Sequence, residues 1–548
     1  MENTNTTKHN ILKRKPRLKK DLTFNEMLMI GLVGSFGNGA LFGTVTMVAG
    51  AGPEAILAFV LGAIIYSSVG FSYMELAKVY PEAGGPTRYT IYTHGRWTNI
   101  INAMSDIIWY IFIPPIEVIA IVAGFNYFDP IFLTVTGAPT YIGAGVGLLL
   151  MVGLIPFNYY GVKQFGRSSL YTGIVKIFFY LAMSLGLIFF VFDYHNLSAY
   201  GVFPYGPTAI FAIMPFAMYD FGAIRVIPDL AEETNMKDKI PRAIGLVIFL
   251  ETLIYISVAF AILMGTNWSL LNVLPGHFNQ LVPAFHGDNP FFILGRQTNM
   301  FVFIAAVVTG VLAPFVTGYI YLGSGTRVLF SMGRSGYISK SLKTIDEKHH
   351  IPLVSLLIFA VVGVLLVFVA APDPSIYTFI DDATAAGYIG LIATPIALIV
   401  TRRQGITKKE DMVKGMNIVA PLATGASGLI VFWTGWPSEP YAVLLIAAGA
   451  VLFGIISKVK IGAKNVIWYV LFIAFVTFMV ATSHDGLSSA IFPQYFGYLE
   501  GTLITFLFCI FVIYPLGVLS GFKKQFIHKD FTEELYTKEG AKDWKDNQ

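Results

Sequence analysis

The 548-residue sequence is poor in cysteine and in charge. Its single cysteine, Cys509, excludes an internal disulfide framework and a cysteine-based metal cluster. Charged residues make up 13% of the chain, whereas a soluble domain has about 25%. The net charge of +4 is too small to indicate a nucleic acid partner. The motif G-x-x-x-x-G-K-[ST] does not occur, so we expect no ATP site. We also expect no cofactor and no metal.

Hydrophobic residues account for 55% of the chain and aromatic residues for 15%. A membrane-spanning helix needs roughly 20 apolar residues, and runs of this kind recur along the sequence. The composition therefore predicts an all-α polytopic membrane protein in the lipid bilayer. We predict about 14 transmembrane helices, at residues 25–49, 54–79, 101–125, 140–160, 168–192, 208–231, 243–265, 299–324, 352–371, 377–400, 416–435, 440–457, 464–482 and 500–520. They are called spans 1 to 14 below.

Basic residues follow one side of the predicted membrane. With the N-terminus inside, the inside loops hold nearly all of the loop lysines and arginines, and the outside loops hold Arg296 and almost no other. Cytoplasmic loops carry such an excess of positive charge. The pattern predicts a multi-pass protein of the cell membrane with both termini in the cytoplasm. It also supports an even number of spans.

Span 1 contains an unusual density of glycine. A glycine inside a helix costs about 1 kcal/mol relative to alanine, so the cluster predicts a helix that breaks near mid-membrane. Freed backbone groups are tolerated there only if they face protein, water or a ligand, which suggests a binding site lined by backbone. The alternative is a face of small residues for close helix packing. The glycines are Gly31, Gly34, Gly37, Gly39 and Gly43, with Ser35 and Asn38 between them.

Several ionisable residues fall at membrane depth, where charge is costly and usually functional. Lys176 lies about eight residues into span 5, roughly 12 Å from its start. It could carry a proton, stand as a fixed cation where a sodium ion would otherwise bind, or snorkel to the surface. The others are Asp106 and Glu117 in span 3, Asp220 and Arg225 in span 6, Glu251 in span 7, and Asp381 and Asp382 in span 10. Solvation at the span end is the simpler explanation for the two span 10 aspartates.

Span 6 is predicted to be a second interrupted helix, because Pro215, Gly222 and Pro228 weaken it. Two broken spans at matching positions of two halves indicate an inverted-repeat transporter. Asp220 lies at this interruption. It either pairs with Arg225, five residues on, or faces a cavity, and we favour the cavity because we expect the helix to be unwound there.

Five stretches occur in an order typical of one family. They are the glycine-rich break at 34–39, Y-M-E-L-A-K-V-Y-P-E-A-G-G-P at 73–86, N-Y-Y-G-V-K at 158–163, A-E-E-T-N-M-K-D-K-I-P-R-A-I at 231–244, and T-R-V-L-F-S-M-G-R-S-G-Y-I-S-K at 326–340. The set resembles the amino acid–polyamine–organocation (APC) superfamily of amino acid permeases. The resemblance covers roughly the first 400 residues.

The resemblance implies a LeuT-like core of two inverted five-helix repeats with helices 1 and 6 broken. In the family, the first break holds the substrate carboxylate, which suits free N–H groups and helix N-termini. The sixth break holds the amino group, and a lysine of the fifth helix replaces sodium in some proton-coupled members. These roles fall on Gly34, Ser35, Phe36, Gly37, Asn38 and Gly39; on Phe216, Ala217, Met218, Tyr219 and Asp220; and on Lys176.

We therefore divide the chain into a basic N-terminal segment (1–24), a ten-helix core (25–400), four additional spans (401–521) and a cytoplasmic tail (522–548). The expected function is secondary-active transport of amino acids by alternating access, coupled to protons. An exchanger of amino acids or polyamines is the main alternative, since Asp220 suits a cationic ligand. A transport-dead nutrient sensor and a membrane enzyme are weaker alternatives, because the tail is short and the histidines are scattered. The amino acid and the oligomeric state are left open.

Overall fold

The computed structural model describes residues 17–371, 376–459, 463–483 and 491–524, although not the side chains at 376, 377 and 379–384. The predictions for Asp381 and Asp382, for residues 1–16 and for the tail after 524 lie outside this description. The helices are α1 Phe24–Gly34, α2 Thr44–Ala51, α3 Glu54–Val79, α4 Gly85–His94, α5 Arg96–Asn126, α6 Tyr141–Tyr159, α7 Val162–Val191, α8 His195–Ser198, α9 Ala209–Asp220, α10 Val226–Asp229, α11 Ile240–Gly265, α12 Leu281–Ala284, α13 Pro290–Thr298, α14 Met300–Arg334, α15 Leu353–Val369, α16 Ile376–Leu391, α17 Ala393–Arg403, α18 Met416–Thr434, α19 Ser438–Ile456, α20 Ile467–Thr482, α21 Tyr498–Phe508 and α22 Tyr514–Ser520.

The all-helical membrane fold is confirmed. Within the described residues, 11 helices are long and apolar enough to cross a membrane, and there are 12 if α1 and α2 form one bent span. Two shorter apolar helices, α15 and α20, lie where spans 9 and 13 are predicted. Every predicted span thus contains an apolar helix, while the count of 14 crossings stays a prediction.

The helices differ in how much of their surface is covered. In α5, 78% of the most apolar 18-residue stretch is buried inside the protein, whereas in α19 the corresponding share is 28%. A helix that is apolar on all sides and also covered on all sides belongs to the centre of a bundle. α5 packs along both α14 and α16, and α14 also packs along α7. The centre of the protein is therefore built from spans of the predicted core, and α19 lies at its edge.

The predicted break in span 1 is confirmed. Thr23 begins α1 with a capping box, in which its side chain and that of Glu26 satisfy each other's backbone N–H groups. The helix ends at Gly34, and the chain resumes as a π-helix at Gly39–Gly43 that leads into α2. The two helical parts differ in direction by 41°. The glycine run therefore interrupts the helix, and Ser35 to Asn38 connect the two parts.

The interruption of span 6 lies further along the chain than predicted. Phe216, Ala217 and Met218 are inside the regular helix α9, which continues past Pro215 to Asp220. The α-helix then tightens into a 3₁₀ segment at Phe221–Arg225. A proline inside a buried membrane helix is tolerated because neighbouring helices support it. The predicted position at Phe216–Tyr219 is therefore wrong by about five residues.

Ion pairs join α14 to the segment after α10 on the side of the protein that carries the basic loops. Arg327 of α14 donates two hydrogen bonds to Glu233, at 2.7 and 3.0 Å. Arg334 donates two to Glu232, at 2.6 and 3.1 Å. The segment before α1 joins this layer, because Leu22 N–H donates to the Glu233 carbonyl oxygen at 3.1 Å. The start of α1 is thus tied to the chain that follows α10.

Candidate functional site

The backbone at the first break is held by side chains from four other helices, one of which is α14, whose Thr317 hydroxyl donates to the Ser35 carbonyl at 3.0 Å. Phe36 N–H donates to the Tyr255 hydroxyl of α11 at 2.9 Å. Asn38 N–H donates to Oε2 of Glu117 in α5 at 2.9 Å. The Gly37 carbonyl accepts from the Tyr180 hydroxyl of α7 at 3.0 Å. Buried backbone groups need such partners, so the break can exist only inside this bundle.

A small cavity lies against the break, at the centre of the helix bundle. Its interior offers about 10 Å³ to the centre of a water molecule, enough for about one water. Larger ligands therefore require the helices around it to move. The cavity is lined by Gly34, Ser35 and Gly37 from the break, Ile113 and Glu117 from α5, Tyr219 and Asp220 from α9, and Thr317 and Tyr321 from α14.

Lys176 points to the first break. Its Nζ donates to the Val33 carbonyl at 2.6 Å and to the Thr317 hydroxyl at 2.8 Å. It also lies 4.7 Å from the centre of the Phe36 ring, within range of a cation–π contact. A cation at the C-terminal end of a helix is favoured by the helix dipole, and Val33 is next to the last residue of α1. The snorkelling alternative is wrong, because only 1% of the Lys176 surface is exposed.

Asp220 faces the cavity and does not pair with Arg225. One of its carboxylate oxygens, Oδ2, is buried without a hydrogen-bond partner. Its backbone carbonyl accepts from the Tyr255 hydroxyl at 2.6 Å, so Tyr255 connects the two interrupted helices. Arg225 instead approaches Asp106, with 3.5 Å between Nη1 and Oδ1. The expectation of cavity exposure for Asp220 is confirmed, but the expected unwinding at Asp220 is wrong, because the regular helix α9 continues through this residue.

The remaining acid of the cluster, Glu251 of α11, is also buried. Its carboxylate accepts a hydrogen bond from the Ser35 hydroxyl. Glu117, Asp220 and Glu251 therefore surround the first break, each less than 5% exposed. Buried carboxylates are costly unless they are neutral or paired with a cation. The arrangement can accept protons or a positively charged ligand group.

The predicted site residues separate into three groups. Gly34, Ser35, Gly37, Tyr219 and Asp220 line the cavity. Phe36 points its ring towards Lys176 and Tyr180, Asn38 accepts from the Tyr219 hydroxyl at 3.2 Å, and Gly39 touches Asp220. Phe216, Ala217 and Met218 do not line the cavity, because the helix remains regular there. The binding roles of all these residues stay predictions.

Four cavity residues are absent from the predicted site: Ile113, Glu117, Thr317 and Tyr321. Glu117 is singled out by its depth in the membrane but not placed against the break. Thr317 and Tyr321 are four residues apart and therefore share one face of α14. Two polar residues at this spacing inside an apolar span were a usable signal. Ile113 had no such signal, because it is one apolar residue among many.

Comparison with known proteins agrees with this architecture. The family model described as "Amino acid permease" matches residues 22–443. The aspartate-proton symporter of Bacillus subtilis (strain 168) is 26% identical over 451 residues, covering 81% of this chain and 84% of that protein. The glutamate/serine transporter AimA of the same strain is 25% identical, covering 78% and 80%. The aromatic amino acid transport protein AroP of Escherichia coli (strain K12) is 24% identical, covering 80% and 95%.

A solved structure extends the agreement to the fold. The crystal structure of MhsT in complex with L-phenylalanine, a LeuT-fold transporter, aligns with a TM-score of 0.52 at 14% sequence identity, covering 80% of this chain and 100% of MhsT. The identity is too low to transfer more than the fold. Taken with the family model, which spans more than half of the sequence, the helical architecture shows that the chain belongs to the amino acid permease family of the APC superfamily.

Proposed function

We propose that this protein is a secondary-active transporter that moves amino acids across the cell membrane by alternating access, coupled to protons. The observation that carries the proposal is the first break, whose backbone N–H and C=O groups lie beside a central cavity. N–H groups at a helix interruption favour a carboxylate, as the Glu117 carboxylate on Asn38 N–H illustrates, and every amino acid has a carboxylate. The relatives named above for aspartate, glutamate, serine and aromatic amino acids support this class of substrate.

The substrate would lie across both interruptions. We assign its carboxylate to the N–H groups of Ser35 to Gly39, and its ammonium group to Tyr219 and Asp220 of α9. Asp220 suits this role because it lines the cavity and its Oδ2 is buried without a hydrogen-bond partner. The ten-helix core over 25–400, the additional helices over 401–521 and the cytoplasmic position of both termini belong to the same proposal. The positive-inside pattern of the loops supports that orientation.

Lys176 is assigned to proton coupling. It bridges the end of α1 and Thr317 of α14 through two hydrogen bonds, so its charge bears directly on how these helices are held together. Loss of the proton would leave a neutral amine with fewer donors. Both hydrogen bonds would lose their charge, and charge-assisted hydrogen bonds are the stronger kind, so α1 would be held less tightly to α14. A change of this kind links protonation to the opening of one side of the cavity.

The proposal is tested first by binding. A thermal-shift screen of the purified protein against the standard amino acids and common polyamines should identify a stabilising ligand, because ligands that bind the native state raise its stability. Stabilisation by an amino acid, followed by its concentrative uptake into proteoliposomes under a pH gradient, is the expected result. Absence of both would contradict the proposal.

Coupling is tested with two lysine variants of the same helix. Lys176→Ala should abolish the dependence of uptake on the pH gradient. Lys163→Ala is the matched control, since Lys163 also lies in α7 but is exposed, and its uptake should respond to the gradient like the wild type. If Lys176→Ala still responds, the coupling group lies elsewhere.

A second candidate is the exchange of cationic amino acids or polyamines. The specific observation in its favour is the charge of the cavity, which is lined by Glu117 and Asp220 and by no basic residue. An exchanger would show uptake that depends on internal substrate and not on the pH gradient. The same proteoliposomes, loaded with or without the screened ligand, separate the two candidates.

A further inference from the structure

Glu117 occupies a position that the proposed substrate also needs. Its Oε2 accepts the hydrogen bond from Asn38 N–H at 2.9 Å. Its carboxylate lies so close to Gly37 that a Cβ atom added there would be 2.3 Å from Oε1 and 2.5 Å from Oε2. Only 1% of the residue is exposed. A carboxylate of the protein itself therefore rests on the backbone of the first break.

Asn38 N–H is among the groups to which we assign the α-carboxylate of an amino acid. The cavity beside it has room for about one water molecule, so the two carboxylates would be in contact if both were present. Like charges at this distance repel strongly in a buried site. We propose that Glu117 competes with the substrate carboxylate for Asn38 N–H, and that an amino acid binds when Glu117 takes up a proton. The inference rests on the proposed function.

The charges around Glu117 do not relieve this competition. The ionisable groups that face it are Lys176 and Tyr180 from α7, Tyr219 and Asp220 from α9, and Tyr321 from α14. Among them only Lys176 is a cation, and its Nζ is already bonded to the Val33 carbonyl and the Thr317 hydroxyl. Asp220 adds a further negative group on the cavity wall. A second carboxylate beside Glu117 therefore has no free cation to balance it in the described surroundings of the break.

The proton balance of the step is simple. One proton from water adds to the Glu117 carboxylate, whose hydrogen bond to Asn38 N–H then breaks. Asn38 N–H next donates to the substrate carboxylate, and the ammonium group of the substrate faces Asp220. Release of the amino acid reverses the exchange, and Glu117 returns its proton to water. A ligand with the ammonium group but without the α-carboxylate leaves Glu117 in place and needs no proton.

The experiment compares ligands that differ only in the α-carboxylate. The pairs are L-serine with ethanolamine, L-glutamate with 4-aminobutyrate, and L-phenylalanine with phenethylamine. Each is titrated calorimetrically into the purified full-length protein at several pH values. For the wild type we expect the Kd of an amino acid to rise by about tenfold per pH unit once Glu117 is ionised, and the Kd of its amine to stay constant. In Glu117→Gln the Kd of the amino acid should also stay constant.

Glu439→Gln provides the matched control. Glu439 is buried like Glu117 and accepts a hydrogen bond from the Thr477 hydroxyl at 2.8 Å, but it lies in α19, away from the cavity. This variant should keep the wild-type pH dependence. A Glu117→Gln variant that also keeps it overturns the inference. If only Lys176→Ala removes the dependence, the coupled proton belongs to Lys176.

A measurement on the wild type keeps the inference testable if Glu117→Gln does not fold. In weakly buffered solution containing a pH indicator, in the pH range where the Kd rises with pH, binding of the amino acid should take up about one proton per site, and binding of its amine should take up none. Equal proton uptake for both members of a pair overturns the inference while the proposed function stands. Failure of every amino acid to bind overturns both.

Discussion

The two interrupted helices solve the same structural problem in different ways. At the first break, Ser35 to Gly37 leave the helical pattern, and the backbone groups of Ser35 to Asn38 bond to side chains of α5, α7, α11 and α14. At the second, Phe221–Arg225 keeps a hydrogen-bonded 3₁₀ backbone. The first interruption therefore presents backbone to the cavity, whereas α9 presents the side chains of Tyr219 and Asp220.

Glycine content accounts for much of this difference. The glycines of the first break allow side chains to approach its backbone closely, as Glu117 does at Gly37 and Asp220 does at Gly39. The second interruption has Gly222, where Trp109 fills the space that a side chain would take. A backbone-lined site needs room beside the main chain. At the first break carboxylate groups occupy that room, whereas at Gly222 the Trp109 ring occupies it.

Gly37→Leu should have the largest effect on amino acid binding, because it distorts the first break. A Cβ atom at Gly37 meets the Glu117 carboxylate at 2.3 Å, so a leucine would displace the groups that form the proposed carboxylate subsite. We expect complete loss of amino acid binding in calorimetry. Gly43→Ala is the control, because a Cβ atom there lies 3.9 Å from Phe216 and fits without movement. Normal binding by Gly37→Leu would rule out the backbone subsite.

Arg225→Gln should destabilise the folded protein, because Arg225 anchors the second interruption. The Arg225 guanidinium lies 3.5 Å from Asp106, donates to the Gly387 carbonyl at 2.9 Å and stacks 5.0 Å from the Trp109 ring. Removing one partner of a buried ion pair costs about 3–5 kcal/mol. Thermal unfolding in detergent should show a marked loss of stability. The exposed Arg296, changed to Gln, should alter stability by no more than about 0.5 kcal/mol; equal shifts would contradict the anchoring role.

Asp220→Asn tests the charge that α9 contributes to the cavity. We expect the variant to bind L-lysine or putrescine about tenfold more weakly, or about 1.4 kcal/mol, because the charge-assisted hydrogen bond is lost. L-Serine should lose a similar factor, because its α-ammonium group is assigned to the same carboxylate. Binding titrations of both ligand classes measure the losses. Unchanged binding of both classes would rule out Asp220 as the ammonium site.

Glu232→Gln should have the smallest effect on stability. Glu232 belongs to the ion-paired layer that follows α10. Burial alone would raise the pKa of Glu232, but the charge and hydrogen bonds of Arg334 outweigh it and hold the pKa below its usual value. A carboxylate with a lowered pKa stabilises the fold at neutral pH, and this contribution is lost as the pH falls through that lowered pKa. We expect Glu232→Gln to cost up to about 1 kcal/mol at neutral pH and nothing in strong acid.

The control for this pH dependence is Glu410→Gln. Glu410 lies 3.9 Å from Lys408, and both side chains are about three-quarters exposed. Its replacement should leave unfolding unchanged across the same pH range. Unfolding curves recorded from neutral to acidic pH compare the two variants. A Glu232→Gln effect that persists in acid would show that packing, and not charge, is responsible.

Local sequence predicted the first break well and the second only in part. The glycines from Gly31 to Gly43 act on their own helix, so their effect could be read directly. The family resemblance placed the break of span 6 at Phe216–Tyr219, but α9 continues through these residues because the helix is enclosed by its neighbours. The 3₁₀ segment begins where Trp109 packs against Gly222. That contact comes from a different span and has no local signal.

The sequence by itself determined that this is a helical membrane protein with a glycine-broken first span and charged residues at membrane depth. These features follow from composition, spacing and the cost of breaking a helix in lipid. The tertiary structure decided which charges meet. Glu117 reaches Asn38 across 79 residues of sequence, and Lys176 reaches Val33 across 143. Hydrogen bonds act over about 3 Å, so only the packing of α5 and α7 against the break could bring these groups together.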